Sequence, residues 1–132
     1  MRLSPLIFAA ALVACAPNQP ITAHTTLSSG ADLAQGKLIP VASFSQQDIV
    51  ALRIDLTWPD STQDLGYHRL HFTWSHNGQV IFTHVLRPLL VSSPWTVTAR
   101  HPAITLGTGP CHVIVTLDDT PIIDQSFVIT SQ

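Results

Sequence analysis

Between Asp48 and Trp58 the chain is apolar at every second position: Val50, Leu52, Ile54, Leu56 and Trp58 alternate with Ala51, Arg53, Asp55 and Thr57. A period of two sends successive side chains to opposite faces, so the segment predicts a strand with one face in a core and the other in water. The pattern recurs from Tyr67 to Ser75, where Leu70, Phe72 and Trp74 oppose Arg69, His71, Thr73 and Ser75. Asn77-Gly78 then supplies two residues that tolerate positive φ, the requirement of a type I′ hairpin, and Val80 to Leu86 is expected to return antiparallel. Cys111 to Leu117 and Ile122 to Ile129 form a closing pair about Asp118-Asp119-Thr120-Pro121. Leu38 to Phe44 and Trp95 to Ala99 are weaker candidates, Pro40 pushing the first toward an edge. About seven short strands, turn residues at regular intervals and no 3.6-residue periodicity predict an all-β fold, a single antiparallel β-sandwich over residues 37–132.

The N-terminus has a different chemistry. Arg2 supplies a positive charge, and the apolar run Leu3 to Leu12, broken only by Ser4 and Pro5, is too short to cross a bilayer core of about 30 Å. Residues 1–14 therefore read as a cleaved export signal. Leu12-Val13-Ala14-Cys15 resembles the lipobox of bacterial lipoproteins, in which small residues precede a cysteine that is lipidated and becomes the mature N-terminus. The resemblance covers Met1 to Cys15 and implies that Cys15 is acylated. At about 0.8 kcal/mol per buried CH₂, several acyl chains make an effectively permanent anchor. Ala16, where Asp would signal inner-membrane retention, implies sorting to the outer membrane, on its periplasmic or its surface side. From Ala16 to Gly36 the chain is rich in Pro, Ser, Thr, Asn, Gln and Gly, so residues 15–36 are expected to be a lipidated N-terminus and flexible tether.

Composition narrows the function. Six Lys+Arg stand against eight Asp+Glu for a formal net charge of −2, which leaves no excess positive charge to hold a phosphate backbone and argues against nucleic acid. The sequence contains no paired carboxylates, no G-x-S-x-G and no phosphate-cradling glycine loop. No catalytic residue is nominated, no cofactor is expected, and the chain reads as no enzyme. With Cys15 acylated, Cys111 has no intramolecular partner, and alternation places it on the core face with Val113, Val115 and Leu117 while His112 points the other way. A thiol in such surroundings is a poor nucleophile.

Histidine is the unusual ionisable feature, with seven in the chain. A two-residue turn at Asn77-Gly78 places His71 opposite His84 with Cβ atoms about 5 Å apart, a spacing at which two imidazoles share a Cu or Zn ion unless a bulge shifts the register. The plainer reading puts both rings in solvent, as it does His24 and His76. Asp60, Ser61 and Asp64 present oxygens without the ligand order of a calcium loop. Trp58 and Trp74 follow the apolar faces of their strands. Leu89, Leu90, Val91 and Trp95 form an apolar connecting stretch that either caps the sandwich or offers a partner its surface.

The ending Gly109-Pro110-Cys111-His112-Val113-Ile114-Val115, a turn, then Ser126-Phe127-Val128-Ile129, resembles the last hairpin of immunoglobulin-like modules in bacterial envelope proteins. The resemblance covers residues 44–130 and implies an immunoglobulin-like sandwich, with no catalytic residue carried over. Such modules often have Trp where Cys111 stands, and their inter-sheet disulfide is missing. These readings together point to a non-catalytic outer-membrane lipoprotein, anchored to the membrane by lipid, that binds a protein of an envelope assembly. The alternatives are a small-ligand or glycan-binding module using exposed aromatics such as Trp95, and a Cu/Zn-handling protein using His71 and His84.

Overall fold

The computed structural model describes residues 19–131. The export signal and the lipobox with Cys15 lie outside the described residues. In chain order the elements are β1 (Thr22–Ser29), α1 (Gly30–Ala34), β2 (Ser43–Ser45), β3 (Ile49–Thr57), β4 (Gly66–Tyr67), β5 (Leu70–His76), β6 (Gln79–Leu86), β7 (Leu89–Leu90), β8 (Trp95–Pro102), α2 (Ala103–Leu106), β9 (Gly109–Leu117) and β10 (Thr120–Thr130). The fold is all-β, as its alternation predicts. One sheet has the order β1-β3-β8, a second the order β2-β10-β9-β5-β6, and β4 and β7 make a two-stranded ribbon.

Alternation builds the core between the two larger sheets. Val50, Leu52, Ile54 and Leu56 of β3 face Leu70, Phe72 and Trp74 of β5 and Cys111, Val113 and Val115 of β9 across the interior, and all of them are buried. Asn77 and Gly78 take φ of 51° and 80°, and Asp118 and Asp119 take 49° and 72°, so two-residue turns close both hairpins. Asp is one of the few side chains that tolerates this region without glycine.

Two expectations need correction. The stretch 22–36 is no tether: Thr22 to Ser29 pairs residue for residue with Thr57 to Val50, and Ser29 Oγ caps α1 by accepting from Asp32 N at 3.2 Å. Backbone pairing with β3 and burial of Leu27 stabilise a strand whose own side chains are mostly small and polar. Leu38 to Phe44 gives only the short β2, and that strand runs parallel to β10, with Phe44 opposite Ile129. Pro40 cannot donate to a ladder, so pairing begins after it. The first third of the chain thus contributes a strand to each sheet, with residues 30–42 passing between them.

Candidate binding surfaces

The β4–β7 ribbon sits at the end of the sandwich where β3 finishes and β5 begins. Gly66 opposes Leu90 and Tyr67 opposes Leu89. Alternation turns Leu90 inward, where it is 0% exposed, and leaves Tyr67 and Leu89 side by side at 75% and 41% exposure. Val91 beyond them is 48% exposed. Of the stretch read from the sequence as a partner surface, Leu89 and Val91 are therefore available and Leu90 is not, because it fills the core. Trp95 starts β8 half-buried and packs on the core, so it is no open platform for a sugar ring. The open aromatic among the described residues is Tyr67, which stands outside the apolar alternation of its segment.

Polar groups frame Tyr67. Asp118 Oδ1 accepts from Arg69 N at 2.9 Å, its other oxygen meets His68 Nδ1, and Asp119 pairs with the Arg69 guanidinium. The second ring nitrogen of His68 lies 3.1 Å from Leu65 O. Arg87 has no carboxylate partner among the described residues. Tyr67, His68, Arg69, Arg87, Asp118 and Asp119 line an open depression of about 440 Å³. Trp58 ties down the loops that flank the ribbon, its indole N–H donating to Gln63 O at 3.0 Å and its backbone N–H to Ser93 Oγ at 3.2 Å.

The chain also enters the fold at this end. Thr22, the first residue of β1, opposes Thr57, the last of β3, and the Gln19 side-chain amide donates to Asp60 O at 3.3 Å. Asp60 Oδ1 accepts from Thr62 N and Oγ1, and Asp64 Oδ1 accepts from Gly66 N at 2.8 Å. Both carboxylates thus close local turns.

The histidines separate. Trp74 opposes Phe82 but Ser75 opposes Val80, so Ile81 is an extra residue and the register slips by one. His71 then opposes Val85, and His84 opposes Phe72 on the core side. The two imidazoles stand on opposite faces of the sheet and cannot share an ion as a facing pair. No group of three or more His, Cys, Asp or Glu that could hold a metal occurs among the described residues.

His84 instead joins a seam between β6 and β8. Its ring stacks on Phe72 with centroids 4.4 Å apart, and its Nε2 accepts from Trp74 Nε1 at 3.3 Å. His101 of β8 stacks on Phe82 at 4.9 Å, meets Trp74 edge-on at 4.7 Å and lies 5.9 Å from His84. Burial, and then the nearby His71, hold His84 below the usual imidazole pKa. Burial, and then His84, do the same to His101. His76 is not simply solvated either, since its Nε2 lies 2.6 Å from Thr108 O. His24 stays exposed, though on a strand. Cys111 is buried, with Sγ 3.7 Å from Gly107 O, and burial pushes its thiol pKa up. His112 turns away from it toward Asp124.

One strand edge is unguarded. β6 runs for eight residues at the margin of its sheet with no Pro and no Asp, Glu, Lys or Arg, and Val80 and Val85 are 62% and 45% exposed. Of the other margins of the two larger sheets, β2 has three residues, β8 carries Arg100 and ends at Pro102, and β1, equally free of charge and proline, is met at Leu27 O by Val41 N at 2.7 Å and exposes no large apolar side chain.

No protein-family model matches the sequence, and no curated protein matches it. Solved structures do. An immunoglobulin-like protein from Pseudomonas aeruginosa superposes with a TM-score of 0.57 at 10% identity, over 86% of this chain and 99% of that one. The CARDB domain of a Pyrococcus furiosus protein, solved in complex with di-metal ions, gives 0.54 at 6% identity over 86% and 90%. A β-glucosidase from Listeria innocua in complex with glucose gives 0.54 at 10% identity over 86% of this chain but only 16% of the enzyme. Identities this low speak to architecture alone, and the architecture is an immunoglobulin-like β-sandwich.

Proposed function

We propose that this protein is a non-catalytic accessory module of the outer membrane, anchored by acylated Cys15, that binds an envelope protein by strand addition at β6. The observation that carries this reading is the uncharged, proline-free margin of β6 with Val80 and Val85 exposed on it; among the margins of the two larger sheets β2 is short, β8 carries Arg100, and β1 exposes no large apolar side chain. Unpaired N–H and C=O groups along such a margin are a template for a further strand, with Val80 and Val85 offering side-chain contacts on the outer face. The fold is compatible with this role without assigning it, since function lives in sites grafted on folds. The lipobox resemblance supports the anchor, and the separation of His71 and His84 onto opposite faces of their sheet favours contact over metal handling by that pair.

The test is site-specific photo-crosslinking in intact envelopes. A crosslinker replacing Val85 should capture one envelope protein, and a crosslinker at Thr98 on the guarded β8 should capture none. Val80→Lys should abolish the Val85 adduct while leaving the fold intact. Equal capture at both positions, or none at Val85, would refute strand addition.

A further inference from the structure

We propose that the β4–β7 end of the sandwich rests on the lipid surface, with Tyr67, Leu89 and Val91 at headgroup level and Arg87 on a phosphate. The inference rests on the acylation of Cys15 proposed above and adds an orientation and a second contact.

Chain length decides which end can reach the bilayer. Gln19 is held against Asp60, at the same end as the ribbon, and is four residues from Cys15. Four residues extend to about 14 Å at most. The opposite end, which carries Asn77-Gly78 and α2, lies a full strand away, about 26 Å for the eight residues of β1. An anchor at Cys15 therefore allows the ribbon end to touch the bilayer and keeps the Asn77 end off it.

The chemistry of that end fits the assignment. Tyr67 is the most exposed large hydrophobic residue of the described chain, and it stands beside Leu89. Tyrosine settles at the membrane–water boundary, where its ring is in apolar surroundings and its hydroxyl is wet. Arginine stems lie along apolar surface while their guanidinium groups reach phosphate. Arg69 and Arg87 share the end with Asp60, Asp64, Asp118 and Asp119, so the surface is not cationic. The headgroup that suits it carries both an ammonium and a phosphate, as phosphatidylethanolamine does.

The test uses the acylated full-length protein bound to phosphatidylethanolamine vesicles containing brominated lipid. An environment-sensitive fluorophore is placed at Val91→Cys or, as the control for the far end, at Gln79→Cys. Quenching should be several-fold stronger at position 91 than at position 79, and Tyr67→Asp with Leu89→Asp should lower it while acylation and vesicle binding persist. A vesicle-bound, acylated chain quenched equally at both positions, or only at position 79, overturns the orientation and leaves the anchor standing. Crosslinking of position 91 to a protein in native envelopes, without lipid quenching, also overturns it. A mass spectrum showing Cys15 without acyl chains removes the anchor itself, a failure distinct from the others.

Discussion

The β6–β8 seam and the β4–β7 end both gather aromatic rings, imidazoles and strand margins, yet they treat them in opposite ways. In the seam Phe72, Trp74, Phe82, His84 and His101 turn inward, stack on one another, and meet no carboxylate among the described residues. At the ribbon end Tyr67 turns outward, and His68 and Arg69 are each paired with an aspartate. The difference teaches that residue type does not assign a role here; the parity of the position within its strand does. His84 became a packing residue because one extra residue, Ile81, moved it to the core side. Tyr67 became a surface residue because its neighbour Gly66 is the one aligned with buried Leu90.

Substitutions can break or sharpen this contrast. Trp74→Ala in the seam removes a fully buried indole and should cost about 3–5 kcal/mol in urea unfolding. Within the ribbon, Leu90→Ala should cost about 2–5 kcal/mol by the same measure and Leu89→Ala no more than about 0.5 kcal/mol, because only the former empties a core site. Equal losses would mean the ribbon is packed on both faces.

Acid distinguishes the two regions further. His84 and His101 are neutral in the fold and have pKa values lowered by burial, so unfolding takes up protons as pH falls. Their contribution to stability is complete above the unfolded imidazole value of about 6.5 and is lost as pH falls through their lower folded values. Protonation also turns His84 Nε2 from acceptor to donor, against the Trp74 indole N–H. Melting temperature followed from pH 7.5 to pH 4.5 should fall more steeply for the wild type than for the His84→Gln, His101→Gln double variant. Parallel curves would show that neither ring is shielded. The smallest effect is expected from Asp118→Asn, which keeps a side chain suited to positive φ and removes only the charge facing His68. It should shift stability by less than about 1 kcal/mol, and less again at high salt.

The sequence made the central strands legible because each is flanked on one face by core and on the other by water, which writes a period of two into β3, β5 and β9. It concealed β1 for a physical reason. The strand pairs with only one neighbour, and Thr22, Thr25, Thr26, Ser28 and Ser29 are small enough to read as linker. The bulge left a trace in the unbroken run Val80-Ile81-Phe82, where strict alternation demands a polar residue. The lining of the ribbon end was out of reach, since it joins Tyr67, Arg87 and Asp118 from three separate connections.

The placement of β1 has a mechanical consequence. A tug arriving through Gln19 is directed along the axis of β1, and the eight residue pairs joining β1 to β3 lie across that axis. All of them share the load at once instead of parting one after another, as they would if the strand were peeled from its side. A body held through β1 would in this way resist shear.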